Sequence, residues 1–428
     1  MSYLKGLMKV PVIANILSFG SATLISSALA FILGVVSRNI LGPEKYGYWV
    51  ALSIAFTFIP LLQFGVLNAM NREIPYHIAR GASEKVHQIR QKTISYLLSF
   101  PAFMMLLFLM VSILLWNSNL AWEYKVGFFF ISFIGLLLFL SSYVEMYYKS
   151  IQDFQKVSKL IGVKGIVQAI SSILFIVLFG FIGLFLGMIV ALLIQIMIGR
   201  KAFNEINFNF NFRFKDYLPL IKIGFPILMV GLIWSIFLTI DKLILTIMMD
   251  SSSLGNYSIA LLVFSTMMLL PQVVAQVYYP KVVAMVSREE HEQIKQSYVR
   301  VNSLLLLIST IIVTVGIVVI PSVIRLLMPE YEEGIFSAQI LLVGLVPLTL
   351  VNYSANYFNA TDNQRLYIKI LLISMLVNIL ASTILLLFNR EISMVAIGTS
   401  ISFLLYFLLM NVFFWKLMKQ QLKGGGNK

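Results

Sequence analysis

Two adjacent charged residues, Asp241 and Lys242, interrupt a long apolar run and are the clearest candidates for chemistry in this sequence. A charge at the middle of a bilayer costs about 2.5–3.5 kcal/mol on insertion scales, so it normally faces a cavity or a partner. Neighbouring helix positions point about 100° apart, so these two side chains do not simply pair with each other. We expect one of them to face a cavity while the other reaches a different partner or the outer interface. An ion pair between helices is the alternative.

Two prolines occupy corresponding positions in the second and eighth apolar runs, and polar amides lie close to both. Gln63 lies near Pro60, and Gln276 follows Pro271. Proline removes a backbone donor and frees a carbonyl group, which a membrane protein tolerates where neighbours or cavity water satisfy the carbonyl. Interrupted spans at matching positions of two halves point to a transport path. The pattern therefore predicts broken helices at both prolines, with the first, second, seventh and eighth runs lining the path.

Two arginines lie at the ends of apolar runs, Arg38 after the first and Arg72 after the second. Anchoring at the membrane interface is the alternative to a role in a site. No nucleophile with a matching base and no pair of carboxylates stands out, and the chain has no cysteine. The histidines at 77, 87 and 291 lie in polar segments without metal-ligand spacing. We predict neither a catalytic nor a metal site.

The composition requires a membrane to surround these residues. The chain has 428 residues, of which 59% are hydrophobic and 12% charged, and its mean hydropathy is +0.90. Soluble domains are about 45–50% apolar and about 25% charged. A spanning helix takes about 20 apolar residues, and windows of that size predict an all-α, multi-pass protein with twelve spans, at 13–38, 46–70, 93–116, 126–148, 162–181, 183–203, 222–248, 256–279, 301–324, 335–358, 366–388 and 395–415.

The basic residues predict the orientation of these spans. With the N-terminus placed inside, 26 of the 32 lysines and arginines fall in inner segments and five in outer loops, while Lys242 lies within a span. This is the positive-inside pattern with both termini cytoplasmic. Anionic lipids of the inner leaflet attract such residues, so the net charge of +14 requires no nucleic acid as a partner.

Repeated segments divide the predicted spans into two halves. The segment 41–47 (LGPEKYG) follows the first span, and 254–258 (LGNYS) follows the seventh; a proline lies fourteen residues after each tyrosine. Further on, 84–91 (EKVHQIRQ) aligns with 289–296 (EEHEQIKQ). We predict an N-terminal six-helix lobe at 1–203, a cytoplasmic linker at 204–221, a second six-helix lobe at 222–415 and a cytoplasmic tail at 416–428. An even number of spans relates the lobes by a pseudo-two-fold axis along the membrane normal.

The ordered set of motifs resembles a known family. The segment 38–47 (RNILGPEKYG), then Phe64-Gly65 and 72–75 (REIP), is similar to the opening signature of the polysaccharide and O-antigen flippase family. That family belongs to the multidrug/oligosaccharidyl-lipid/polysaccharide (MOP) exporter superfamily. The second half is similar as well, at 223–226 (IGFP), 241–245 (DKLIL), 254–257 (LGNY) and 279–281 (YPK). The resemblance covers essentially the whole chain.

The resemblance implies two six-helix lobes around a cavity that opens alternately to either side of the bacterial plasma membrane. Such a protein moves undecaprenyl-diphosphate-linked oligosaccharides from the inner to the outer leaflet for surface polysaccharide synthesis. It needs no cofactor and is not an enzyme, although a proton or sodium gradient can drive it. The implied partners are the lipid-linked oligosaccharide, membrane lipids and other assembly proteins such as a polysaccharide polymerase.

That cargo assigns roles to the polar residues. A diphosphate needs cations in a low-dielectric cavity, where charge-assisted hydrogen bonds are strong. The candidate cations are Arg38, Arg72 and Lys242, and Asp241 would balance charge or take up a coupling proton. Amides such as Gln63 and Gln276 would contact the sugars.

Two other functions compete with this interpretation. A cation-coupled multidrug exporter would share the fold and would require buried acidic residues, of which Asp241 is the clear example. A polysaccharide polymerase or lipid-linked glycosyltransferase would require a sizeable outer loop with catalytic groups, and the outer loops here are short. A flippase for peptidoglycan precursors is a variant of the first interpretation.

Overall fold

The computed structural model describes residues 11–204, 206, 214–268, 278, 281–361 and 363–424. All regular secondary structure in these ranges is helical, which confirms the predicted all-α fold class. Two of the predicted site positions, Pro271 and Gln276, lie outside the described residues.

The described residues 11–204 form eight α-helices and three 3-10 segments. The α-helices are α1 Pro11–Ser53, α2 Ala55–Phe58, α3 Val66–Ala79, α4 Ser83–Leu97, α5 Phe100–Leu114, α6 Trp122–Ser150, α7 Phe154–Phe179 and α8 Ile182–Ile198. The 3-10 segments are Ile59–Gln63, Leu115–Asn117 and Arg200–Phe203.

In the described residues from 214 onwards there are eight further α-helices and one 3-10 segment. They are α9 Phe214–Phe237, α10 Ile240–Met248, α11 Ser251–Met267, α12 at 281–287, α13 His291–Leu327, the 3-10 segment Pro329–Tyr331, α14 Gly334–Ala360, α15 Gln364–Phe388 and α16 Ile392–Gly424.

Within the described residues, the predicted membrane spans fall on these helices, and the part of the eighth span beyond residue 268 lies mostly outside the described ranges. Nine helical stretches of the described residues are long and apolar enough to cross a membrane, and Ile182–Ile198 is a shorter apolar helix. The first stretch, Thr23–Gln63, takes in most of the first two predicted spans, because two helical segments meet at a kink at Gly42, whose backbone is not helical (φ 72°, ψ 171°). Glycine adopts this left-handed conformation without a Cβ clash, and Pro43 is suited to the first turn of the helix that follows. The prediction of a multi-pass membrane protein is confirmed.

Two compact units make up the fold. One contains Met1–Leu41 with Leu52–Leu232, and the other contains Gly42–Ala51 with Ile233–Lys428. The lobe boundaries given above from the sequence stay a prediction.

In the second unit, the segment after the Gly42 kink packs backbone to backbone on the start of α11. A Cβ atom at Gly255 would lie 1.8 Å from the carbonyl oxygen of Pro43, and one at Gly47 would lie 1.7 Å from that of Ser251. Real Cβ atoms are not found that close to backbone atoms. Glycine is therefore the residue that this contact requires at both positions.

In the first unit, the predicted second span is interrupted near its middle. Pro60 lies in the first turn of the 3-10 segment Ile59–Gln63, and the left-handed residues Phe64 (φ 45°) and Gly65 (φ 80°) follow. A Cβ atom at Gly224 would lie 1.8 Å from the carbonyl oxygen of Gly65. The rings of Phe64 and Phe225 stack with their centroids 6.0 Å apart. The interruption is thus held against α9 by a glycine contact and an aromatic one.

Candidate functional site

Asp241 lies where the predicted seventh span breaks into two helices. Helix α9 ends at Phe237, and α10 begins at Ile240 after Leu238 and Thr239. Asp241 is therefore in the first turn of α10, where the helix dipole favours a negative charge. Its side chain is 4% exposed. The charged residue that interrupts the apolar run in the sequence is thus a buried carboxyl group in the first turn of a helix.

Two hydroxyl groups from other helices donate to this carboxylate. The Tyr257 hydroxyl of α11 donates to Oδ2, and the Thr399 hydroxyl of α16 donates to Oδ1 at 2.6 Å. Both donors are buried. Hydrogen bonds to an ionised group are worth about 1.5–3 kcal/mol each. The two donors hold the carboxyl group in one orientation.

Further polar side chains extend the site towards α15. Asn378 Oδ1 lies 3.2 Å from the Thr399 hydroxyl and accepts from the Ser382 hydroxyl at 2.9 Å. The Ser382 hydroxyl also lies 3.4 Å from the Val395 carbonyl oxygen. We call the set Asp241, Tyr257, Asn378, Ser382 and Thr399 the Asp241 cluster. It joins four helices of the second unit.

The Asp241 cluster offers oxygen atoms and no neutralising cation. Among the residues the structure describes, Asp241 forms no ion pair within 4 Å. An isolated buried charge costs several kcal/mol, and neutralisation of the carboxylate by a proton or a cation would remove that cost. Carboxylate, amide, hydroxyl and carbonyl oxygens are the ligands of hard cations. No group of three or more His, Cys, Asp or Glu in the described ranges could hold a metal ion.

The candidate cations differ in their surroundings. Arg38 is 4% exposed, and its Nη1 donates to the Gly34 carbonyl one turn back at 2.8 Å. Arg72 is exposed, and its Nε lies 3.8 Å from the Glu73 carboxylate. Lys242 is half-buried. Of the three, Arg38 and Lys242 have the low-dielectric surroundings that strengthen a bond to an anion.

Gln63 is buried at the end of the 3-10 segment that starts beside Pro60. Its Oε1 has no hydrogen-bond partner among the described residues. An unpaired buried amide oxygen costs free energy, and it leaves an acceptor in the interrupted span for a hydroxyl-bearing ligand.

The sequence analysis missed four members of the Asp241 cluster. Asn378, Ser382 and Thr399 are uncharged polar residues in the two last predicted spans, and Tyr257 belongs to a repeated motif. Asn378 and Ser382 lie one helical turn apart on α15, so their side chains share a face. That spacing was the available signal, because a polar stripe inside an apolar helix points to the protein interior.

The chain was compared with known proteins in three ways. Residues 12–284 match the family model described as Polysaccharide biosynthesis protein. A search of curated sequences finds no match. Solved structures that resemble the chain include a multidrug resistance MATE family transporter of the MOP superfamily, in its inward-facing conformation (TM-score 0.80, 12% identity, 93% of this chain and 96% of that one).

Two further structures are an outward-facing transporter of the same description (TM-score 0.65, 12% identity, 96% of each chain) and MATE in complex with MaD3S (TM-score 0.68, 13% identity, 96% of each chain). Likeness at this identity shows the fold, which is that of MOP-superfamily transporters. The family model covers more than half of the chain, so the resemblance drawn from the motifs is confirmed. The chain belongs to the polysaccharide biosynthesis protein family, the flippase family of the MOP superfamily, and is a multi-pass membrane transporter.

Proposed function

We propose that this protein is a flippase that moves undecaprenyl-diphosphate-linked oligosaccharides from the inner to the outer leaflet of the bacterial plasma membrane by alternating access. Both termini lie in the cytoplasm. The product serves surface polysaccharide synthesis, and a polysaccharide polymerase is a proposed partner. The observation that carries this proposal is the match of residues 12–284 to the polysaccharide biosynthesis family.

Two buried or half-buried cations support an anionic cargo. Arg38 and Lys242 are placed where an ionic hydrogen bond is strong, and we propose that both contact the diphosphate. Arg72 already has Glu73 beside it and is exposed, so its proposed contribution is the attraction of the cargo rather than tight binding. The Gln63 amide is proposed to contact a sugar, because its Oε1 is an acceptor without a hydrogen-bond partner among the described residues.

We further propose that the Asp241 cluster takes up the ion whose gradient drives transport, a proton or sodium. The carboxyl group accepts hydrogen bonds from two helices, α11 and α16, and lies on a third. Neutralising it removes the cost of a buried charge and changes the bonds that join those helices. The cluster therefore links ion uptake to helix packing.

The test of the cargo uses the native host with this protein depleted. Lipids are extracted, and undecaprenyl-diphosphate-linked oligosaccharide is quantified by mass spectrometry. We expect this lipid to accumulate while surface polysaccharide is lost. An unchanged lipid pool with new sensitivity to cationic dyes would refute the flippase and favour the cation-coupled multidrug exporter, the alternative that the MATE-like fold and the buried Asp241 allow.

The test of coupling uses Asp241→Asn in proteoliposomes. The amide keeps the shape of the side chain but neither ionises nor holds a cation tightly. We expect transport in the variant to lose its response to an imposed proton or sodium gradient, and whichever gradient stimulates the wild type identifies the ion. Asp153→Asn is the matched control, because Asp153 caps α7 by accepting from the Lys156 amide and is exposed. A gradient response that survives in Asp241→Asn would exclude this carboxyl group as the coupling site.

A further inference from the structure

Lys164 is a charged side chain well inside a membrane-spanning helix. Helix α7 spans Phe154–Phe179, and Lys164 lies ten residues from its start, which corresponds to about 15 Å along the axis. The count of basic residues placed it with the inner segments, although it lies just inside the predicted span 162–181. The structure places it beyond Lys156 and Lys159, within a stretch that is apolar enough to span the bilayer.

The Lys164 side chain points away from the lipid. Four exposed apolar residues of α7, Ile166, Ile170, Leu174 and Val177, form one stripe, and Leu178 and Phe179 at the end of the helix are exposed as well. At 100° per residue, Lys164 and Gln168 lie on the opposite side of the helix, and both are only partly exposed. Next to Lys164, Gly165 packs closely on Ser26 of α1, whose hydroxyl donates to the Ile161 carbonyl at 3.3 Å. A lysine kept in the interior of a membrane unit is costly and needs an explanation.

The one acidic group that acts on Lys164 is already paired. Within the described part of the chain, the Lys164 ammonium has no ion pair within 4 Å and no hydrogen bond, and the carboxylate that attracts it is Glu145. Glu145 in turn pairs with Lys149, whose Nζ lies 2.6 Å from the Glu145 Oε1 atom. Two lysines and one glutamate leave one formal positive charge in excess, which one anion would balance.

We propose that Lys164, together with Lys149, binds the diphosphate of the lipid-linked cargo in the first unit. This inference rests on the proposed function. The cargo and the membrane phospholipids share one chemical feature, a phosphate ester attached to a long hydrocarbon, so either could bind here. The partly buried ammonium gives a charge-assisted hydrogen bond to a phosphate oxygen, and Gln168, one turn further along the same face, offers an amide to the next polar group.

The experiment measures binding to the purified full-length protein in nanodiscs. The probes are undecaprenyl diphosphate and, separately, phosphatidylglycerol. Lys164→Gln removes the charge, Lys164→Arg keeps it, and Lys159→Gln removes a charge from the exposed side of the same helix as the matched control. We expect Lys164→Gln to weaken undecaprenyl diphosphate binding about tenfold or more, with near wild-type binding in the other two variants. Equal affinity of Lys164→Gln and the wild type would overturn the inference.

A second variant is expected to change the affinity for undecaprenyl diphosphate in the opposite direction. Glu145→Gln removes the carboxylate that competes with the anion, so we expect it to bind undecaprenyl diphosphate more tightly than the wild type. Weaker binding in this correctly folded variant would overturn the inference. The unfolding temperature serves as the folding check, and removal of a poorly paired interior charge in Lys164→Gln is expected to leave that temperature unchanged or raised.

Comparison of the two probes shows whether the site binds a phospholipid or undecaprenyl diphosphate. It also distinguishes a failure of the role of Lys164 from a failure of the proposed flippase function. An equal loss of phosphatidylglycerol and undecaprenyl diphosphate binding in Lys164→Gln would make this a phospholipid site and overturn the inference. A wild type that prefers undecaprenyl diphosphate, with Lys164→Gln unchanged, would overturn the role of Lys164 and leave the flippase standing. A wild type that shows no preference for undecaprenyl diphosphate would overturn both.

Discussion

Replacing Gly224 with alanine tests the contact that holds the interrupted second span against α9. The added Cβ atom would lie 1.8 Å from the Gly65 carbonyl oxygen, 2.6 Å from the Gly65 carbonyl carbon and 2.9 Å from the Ala69 amide nitrogen. All three are backbone atoms, so no side chain can rotate away. To reach an ordinary contact of 3.4 Å from the carbonyl oxygen, the two segments must separate by about 1.6 Å.

The same helix carries the matched control. Gly231 lies two turns beyond Gly224 on α9, and a Cβ atom there would meet nothing within 4 Å. Overpacking costs about 1–3 kcal/mol, occasionally more, whereas alanine gains up to about 1 kcal/mol over glycine in a helix. We therefore expect Gly224→Ala to lose about 2 kcal/mol of stability and Gly231→Ala to gain up to about 1 kcal/mol.

The assay is thermal unfolding of the purified variants in one detergent, followed by size-exclusion chromatography of the remaining monodisperse protein. The expected order of unfolding temperatures is Gly231→Ala at or above the wild type, with Gly224→Ala clearly below it. Loss of the Phe64–Phe225 stacking in Gly224→Ala would follow from the same separation. If Gly224→Ala proved as stable as Gly231→Ala, the close backbone approach at Gly65 and the reasoning built on it would be wrong.

Further substitutions test the carboxyl site, the orientation and a helix cap. Thr399→Val removes one donor to Asp241 and is expected to cost about 1–3 kcal/mol while weakening the gradient response of transport; an unchanged unfolding temperature would argue against that bond. A cysteine introduced at Ser118 should react with an impermeant thiol reagent added outside, and one at Ser83 should not; the reverse labelling would invert the orientation. Asp250, which lies between spans, accepts hydrogen bonds from Ser253 that lower the pKa of its carboxyl group. The cap is therefore worth about 1 kcal/mol at neutral pH and is lost as the pH falls below about 4. Asp250→Ala should then destabilise at pH 7 and have no effect in acid, as measured by unfolding at both pH values.

The spans could be predicted from the sequence because lipid imposes one rule on every residue of a spanning helix. Long apolar runs must be helical, since the backbone has no other way to satisfy its polar groups in lipid. The kink at Gly42 was harder to predict. Helical structure lies on both sides of it, whereas the sequence there has the composition of a loop.

The candidate site was only partly predictable. Asp241 stood out because a charge in an apolar run is expensive. Its partners did not, since a threonine or an asparagine in a span is common and the contact with Asp241 depends on how helices far apart in sequence pack. Lys164 was missed for a different reason: it lies at the start of the predicted span 162–181 and follows a run of basic residues, so the charge count assigned it to the inner segment.

The motifs that carried the family resemblance have a structural reason that the sequence alone does not reveal. Phe64-Gly65 from one half of the chain packs on Gly224-Phe225 from the other. Likewise Pro43 contacts Gly255. Each motif is weak by itself because glycine and phenylalanine are frequent residues, and the meaning of each lies in the contact with its counterpart.

These glycine contacts limit which substitutions the sequence can accept during evolution. In an ordinary helix interface, a larger side chain on one helix can be offset by a smaller one on its neighbour. At the Gly224–Gly65 and Gly255–Pro43 contacts the surfaces are main chain, and no smaller residue than glycine exists to compensate. Second-site suppressors of a substitution at Gly224 or Gly255 are therefore expected to be changes that move a whole helix, and a saturation screen should find these glycines among the least tolerant positions of an otherwise permissive apolar chain.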